Sequence, residues 1–498
     1  MSSISTPGSA PGPIDHDHLK RDVTPFQSFA VAFGFVSIAT GIFTAYGAML
    51  SSSGPMGIWT WPVVVIGQLM VALIIGSLAA RIPVTGYIYQ WASRLTNPVF
   101  GWIMGWIGFT FLAVVLVAVD YTIASTVLPV LLSYEGTAEN AWWITSLVIV
   151  AQAVMIAFST KFTQKFNAVA VTIQLVGMIG LVALLFAVGA YNNELDFANL
   201  FTNGGIPEDY YSFGGLTSVG PWIMGTLLGA FTIVGFESAA NLAEETRDPA
   251  RVVPKAMWQA VLSLGIIGML FLIAVTALLG DPTTLSASPT PIADVINKVL
   301  GPVLGNLLLV LVVISIFSCG LVILLSGTRL VWAMSRDERF PGWQLWHRIS
   351  PSLKTPVNAT IFMAVVGQVI LALFAEQTDA LFALFSAATL LPAIIYAVTV
   401  LIYAFQRNKL PPSQGFRLGA WETPVLIVAI AWLAFELAIF RDASFAKPWS
   451  YVAVMFAIGV VYLVYLLATR GGAKALKMPD MISVDAILDA DKGTDVMR

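Results

Sequence analysis

Apolar and polar positions alternate in this chain on the scale of whole helices rather than single turns. Runs of about 20 apolar residues, the length with which an α-helix crosses a hydrocarbon layer, recur between short polar links. They predict twelve spanning helices. The first six lie near Phe26 to Leu50, Ile58 to Ala80, Val99 to Leu132, Trp142 to Phe158, Ala168 to Ala190 and Pro221 to Leu242. The remaining six lie near Ala256 to Gly280, Val303 to Met334, Pro356 to Phe374, Leu381 to Phe405, Pro424 to Phe440 and Tyr451 to Ala468. The third and eighth are longer than a membrane requires, which implies tilt or an extension beyond it. Arg329 near the end of the eighth favours an extension.

Composition narrows the class. Of 498 residues, 11% are charged and 58% hydrophobic, against roughly 25% charged in soluble proteins, and the mean hydropathy is +0.83. An all-α polytopic membrane protein with little soluble mass follows, which excludes a receptor with a large ectodomain. The lone Cys319 excludes an internal disulfide and Cys-based zinc or iron–sulfur sites, and His16, His18 and His347 all lie in polar stretches. With no histidine inside a span and no GxxxxGK[ST] phosphate loop, a haem enzyme or nucleotide-driven pump is disfavoured. Neither an enzymatic activity nor a cofactor is expected.

Residues 1–23, rich in Ser, Pro and Gly and without the order of a cleaved signal, are expected to form a disordered cytosolic arm. Residues 24–470 are expected to form the membrane-embedded body and 471–498 a cytosolic tail, amphipathic at most from Asp480 to Leu488. Placing the N-terminus inside leaves only Lys298, Arg441 and Lys447, of the 25 Lys and Arg, in outer loops. The positive-inside rule therefore puts both termini in the cytoplasm, in a plasma-membrane protein. The outer loop from Tyr191 to Gly220 carries Glu194, Asp196, Glu208 and Asp209 but no base, and its Asn, Gly and Tyr content suits an ordered lid.

Glycine interrupts two spans at matching places: Ile38-Ala39-Thr40-Gly41-Ile42-Phe43 in the first, and Gly229 to Ser238 in the sixth. Such interruptions in corresponding halves point to a transporter built from inverted repeats with its site at the midplane. Unwound backbone there offers N–H groups to a carboxylate and carbonyls to an ammonium or cation. The plainer reading is close helix packing, for which membrane helices commonly use glycine.

Gly235-Phe236-Glu237, followed by Ala243 to Pro249 and then Arg251, Pro254 and Ala256, resembles a signature of the amino acid–polyamine–organocation transporters. Ile82 to Trp91, Arg329 to Asp337 with Pro341, and Phe416 to Trp421 agree with it, and the likeness runs from about Thr24 to Ala468, towards the branch with GABA and choline carriers. The resemblance implies a leucine-transporter-like fold: spans 1–5 and 6–10 as inverted repeats, two helices appended, and substrate between spans 1, 3, 6, 8 and 10. By motif matching, Thr40, Gly41 and Ile42 would meet a substrate carboxylate. Phe231, Thr232 and Ile233 would face an amine, with Phe231 or Phe236 as an aromatic gate. The function implied is proton-coupled import of a small amino acid or related amine such as GABA. The alternatives are an organocation carrier for choline or polyamine, a sodium symporter and an exchanger. The carrier would act in the lipid bilayer as a monomer or homodimer, without a nucleic-acid partner.

Two departures from the family pattern bear on coupling. Ser77 stands where the family usually ends its second span with an acid, and no Lys or Arg occurs between Lys165 and Arg247, whereas many members place a sodium-replacing lysine on the fifth span. Ser315 and Ser318, three apart on one face of the eighth span, are candidate sodium ligands, though such serines commonly bond their own backbone.

Two acids lie within spans. Asp120, deep in the third, is costly there by roughly 2.5–3.5 kcal/mol and is a candidate contact for the substrate amine or the coupling proton; its alternative is a packing role. Glu237 either complements a helix N-terminus or binds substrate. The run Glu244, Glu245, Arg247, Asp248, Arg251 and Lys255 is expected to close an inner gate. Ser386, Thr389 and Tyr396 on the tenth span are polar groups suited to interhelical bonds.

Overall fold

The computed structural model describes residues 23–469 apart from 135–136, 207–208, 281–284, 286–287, 289, 354, 375–379, 411 and 414, and the side chains of 374 and 380–385 are likewise outside the description. The expected N-terminal arm up to residue 22, the C-terminal tail and Glu208 of the lid therefore lie outside the described residues. Within them the chain is a helical bundle without a sheet, its one bridge pairing Val23 with Thr246. Eleven helices are long and apolar enough to cross a membrane, and Val357–Phe374 is a shorter apolar twelfth. The chain is a multi-pass membrane protein.

The first six spans are Pro25–Ser53, Pro55–Arg81, Pro98–Leu132, Ala138–Phe158, Thr160–Tyr191 and Pro221–Glu245. Then come Pro249–Ala277, Pro291–Arg336, Val357–Phe374, Ala380–Gln406, Gly419–Ile439 and Ala443–Thr469. Local chemistry sets the starts. Proline opens spans at Pro25, Pro98, Pro221, Pro249 and Pro291, where its missing N–H would have had no acceptor anyway. Thr24, Asn97, Thr137 and Ser159 cap the backbone N–H three residues on. The two overlong spans are interrupted rather than merely extended. The third contains a π-turn at Ile123–Val127. The eighth breaks at Gly301, left-handed at φ 75° and followed by Pro302.

Burial orders the bundle. The first, third and sixth spans are 83%, 89% and 89% buried across their apolar windows, while the twelfth is only 17% buried and faces outward. Four pairs of spans five apart in sequence lie side by side. The first meets the sixth where Gly41 approaches Thr232, and the second meets the seventh where Trp61 Nε1 donates to Gly265 O at 2.9 Å. The third meets the eighth where Asp120 abuts Gly320. The fourth meets the ninth where Ser146 Oγ donates to Gln368 Oε1 at 2.8 Å.

One end of the bundle is closed by the loop after the fifth span, which is ordered where described. Trp59 Nε1 donates to Leu200 O at 2.8 Å, Tyr210 Oη to Ser53 O at 2.5 Å, and Ser53 Oγ to Pro221 O at 2.6 Å. Arg441 holds the same loop through Gly215 O and Phe213 O.

Candidate functional site

The first span breaks at Ser37, a non-glycine residue held at φ 36°, ψ 101°. Its Oγ accepts from Thr40 N at 3.3 Å, Thr40 Oγ1 at 2.7 Å and Gln174 Nε2 at 3.1 Å. The second half of the span starts at Ile38, so the N–H groups of Ile38 and Ala39 have no acceptor within the helix. Gly41 N already donates to Ser37 O at 3.1 Å. These N–H groups thus lie two and one positions before Thr40, where the Thr40-Gly41-Ile42 step begins.

The sixth span breaks after Thr232: Ile233 leaves helical geometry and Gly235 turns left-handed at φ 85° before a 3-10 helix from Phe236. Gly235 N donates to Tyr396 Oη at 2.7 Å, and Tyr396 Oη donates to Glu237 Oε2 at 2.5 Å. The Phe236 ring stacks on Tyr396 with centroids 5.0 Å apart. Tyr396 of the tenth span therefore ties together the backbone, the acid and the aromatic of the break.

The two breaks meet. A Cβ on Gly41 would lie 2.3 Å from the Thr232 side chain, and one on Gly235 would lie 1.8 Å from the Phe35 ring. Phe35 precedes Gly41 while Gly235 follows Thr232, so the spans pass antiparallel with their interruptions adjacent. Thr40, Gly41, Ile42, Phe231, Thr232, Ile233, Phe236 and Glu237 are all buried around this crossing. Together they join an N-terminal helix start, a C-terminal helix end, a carboxyl group and aromatic faces, the chemistry that receives a zwitterion or amine.

A family model described as amino acid permease matches residues 23–468 of the chain. The chain belongs to that family. It is similar to amino-acid permease BAT1 of Arabidopsis thaliana, 24% identical with 91% of this chain and 92% of the relative covered, and to its homolog in Oryza sativa subsp. japonica, 26% identical with 85% of each covered. The GABA-specific permease of Saccharomyces cerevisiae is 26% identical, with 84% of this chain and 75% of the relative covered. This permease is a membrane transporter, not an enzyme.

Asp120 of the permease is fully buried, and its hydrogen bond goes to the fourth span rather than to the residues of the crossing. Its Oδ1 accepts from Gln152 Nε2 of the fourth span at 2.8 Å, Oδ2 has no hydrogen-bond partner, and Gly320 leaves it room against the eighth span. The neighbouring Cys319 donates to Phe35 O at 3.0 Å, so one residue separates Asp120's surroundings from the first break. Ser315 Oγ donates to Leu311 O of its own helix at 2.8 Å. Ser318 Oγ donates to Asn167 Oδ1 at 2.8 Å, beside Gly34. Among the described residues no group of three or more His, Cys, Asp or Glu could hold a metal ion. Sequence reading passed over Ser37, Gln152, Asn167 and Gln174. Gln152 and Gln174 carried a usable signal, since each is an uncharged polar residue inside an apolar run, whereas Asn167 lies just before the run that opens at Ala168 and nothing local marked Ser37 as a break.

Three of the resemblance motifs converge at the other end of the permease. Buried Arg329 pairs with Glu245 Oε1 at 2.9 Å and donates to Thr160 Oγ1 at 3.1 Å. Glu244 accepts from Thr85 N at 3.0 Å and pairs with Arg336 at 3.4 Å. Tyr89 Oη and Gln90 Nε2 both donate to Asp337 Oδ2, at 2.6 and 3.0 Å. Burial, and then the charge of Asp337, pushes the Tyr89 phenol well above its ordinary range, so it stays a donor. Val23 seals the edge, donating to Glu245 O at 3.0 Å and accepting from Arg247 N at 3.2 Å.

Proposed function

We propose that this permease is a secondary carrier importing a small amino acid or related amine such as GABA across the plasma membrane by alternating access, coupled to protons. The meeting of two interrupted spans carries the reading: a channel has no need of paired helix ends buried from both sides, whereas a carrier must hold its substrate between two closures. Every residue at the crossing is buried, so entry and exit each require an end of the bundle to open.

In this reading the N–H groups opening the second half of the first span, beside Thr40, Gly41 and Ile42, take the carboxylate. The helix end at Phe231 to Ile233, with Glu237 and the Phe236 and Tyr396 rings, takes the amine. Spans 1–5 and 6–10 form inverted repeats within a transporter body of residues 24–470, supported by the side-by-side placement of spans five apart. Both termini are cytoplasmic, supported by the distribution of Lys and Arg, and the Glu245–Arg329 end is then the inner gate. Asp120 carries the coupling proton. Ser315 and Ser318 remain the positions for a sodium ion if sodium drives uptake.

GABA is the first substrate to test, since a relative carries that name. Purified protein in liposomes should take up labelled GABA or another small amino acid with saturation and with acceleration by an inward proton gradient. Uptake that never saturates would remove the carrier reading. Sodium dependence without a pH response would transfer coupling to sodium. Tight binding of choline or a polyamine with no response to amino acids would make this an organocation carrier.

A further inference from the structure

A groove of about 570 Å³ lies on the flank of the bundle between the start of the first span and the start of the seventh. Phe26 and Phe29 form one wall; Arg251, Lys255, Gln259 and Ser263 form the other. The four polar residues recur at every fourth position, so they climb one side of the helix by ~6 Å per step. The basic pair sits at the helix end, and the uncharged pair lies deeper along the span. None of the residues at the crossing of the two breaks lines this groove.

The motif that supplied Arg251 and Lys255 is otherwise consumed by the closed end, through Glu244 and Glu245. These two are not. Arg251 makes only a loose, exposed pair with Asp248 at 3.6 Å, and Lys255 makes no ion pair among the described residues. Starting beside Ser263, the seventh span presents Leu262, Ile266 and Leu270, all exposed, in a row of the same period. An exposed apolar row on a spanning helix faces acyl chains.

We propose that this groove is a binding site for an anionic phospholipid, whose phosphate sits between Arg251 and Lys255, whose ester carbonyls reach Gln259 and Ser263, and whose chain lies along Leu262, Ile266 and Leu270. The order of the groove, cationic then polar uncharged then apolar, follows the order of a phospholipid from headgroup to tail. Basic pockets between spanning helices bind such headgroups by charge, and the side argued above to be cytoplasmic carries the anionic leaflet. The chain's own N-terminal segment is the competing occupant, since the residues leading into Val23 carry Asp15, Asp17 and Asp22 beside Lys20 and Arg21, and crosslinking separates it from lipid.

The test is lipid retention by the purified full-length protein in native mass spectrometry, with phosphatidylglycerol competing against phosphatidylcholine. Since transport is not read, the outcome is independent of the carrier reading. Phosphatidylglycerol should be retained preferentially. Arg251→Gln and Lys255→Gln should each reduce that preference roughly fivefold, while Lys255→Arg keeps it. Gln259→Trp, which fills the groove without changing charge, should also abolish it, which covers the case of a charge variant that fails to fold. Equal retention of the two lipids, or preference undiminished in the folded Arg251→Gln and Lys255→Gln variants and in Gln259→Trp, would overturn the proposal. Displacement of phosphatidylglycerol by millimolar inorganic phosphate would reassign the site to free anions and overturn it. Chemical crosslinks between Lys255 and Lys20 that persist unchanged when phosphatidylglycerol is added would give the groove to the N-terminal segment instead.

Discussion

Tyr396 makes two bonds that nothing else at the crossing replaces. Its hydroxyl accepts from Gly235 N and donates to Glu237 Oε2, so Tyr396→Phe leaves a buried backbone donor and a buried carboxyl oxygen each short of a partner. A buried group so orphaned costs about 1–3 kcal/mol. The variant should unfold at a measurably lower temperature and lose uptake together with stability, whereas normal stability and uptake would make the contact dispensable. Asp120 sets a different question, because its one bond comes from Gln152 and none reaches the first or sixth span among the described residues. Asp120→Asn preserves an acceptor for the Gln152 amide but cannot carry the proton. It should fold, bind substrate with nearly normal affinity, and transport without responding to a pH gradient. An unchanged pH response would return Asp120 to a packing role, and at least tenfold weaker amine binding, about 1.4 kcal/mol, would mean that the carboxylate touches substrate after all.

At the scale of elements, the two interruptions are made by different means. The sixth span uses glycine as its sequence suggests: Gly235 is left-handed, and Phe35 fills the place of its missing side chain. The first span turns at Ser37, where a strained backbone of the kind that costs about 1–3 kcal/mol is held by the hydroxyl's bonds to Thr40 and Gln174. Gly41 serves contact rather than conformation, since it lets the first span lie against Thr232. Gly41→Ala should therefore push the two spans apart and lower uptake at least tenfold, a loss of about 1.4 kcal/mol in the rate-limiting step. Adding Thr232→Gly should restore part of it, because the nearest obstructing atoms, including the Thr232 Cβ, belong to that side chain. A fully active Gly41→Ala protein would show that close approach is not needed for transport.

The whole molecule is closed at both ends, and the Glu245–Arg329 pair holds one of them at a depth where water is excluded. Removing one partner of a buried ion pair costs roughly 3–5 kcal/mol, because the other charge is left uncompensated. Glu245→Gln should thus destabilise the closed end and speed thiol labelling of Cys319, which lies beside Phe35 at the first break. Lower stability with an unchanged labelling rate would make the pair a brace rather than a gate. The sequence by itself determined the twelve apolar helices, since hydropathy over a span sums many residues and survives any error in one of them. It also marked the glycine break at Gly235 and the acids buried in spans, because such residues are conspicuous against lipid-soluble neighbours. Only the tertiary structure decided that the first break is at Ser37, that Asp120 bonds Gln152, and that Tyr396 joins the two sides of the sixth break. Each depends on a partner far away in sequence: Gln174 for Ser37, Gly320 for Asp120, Gly235 for Tyr396. A local pattern says which residues are out of place in a membrane, but which distant helix satisfies them is fixed only when the spans pack.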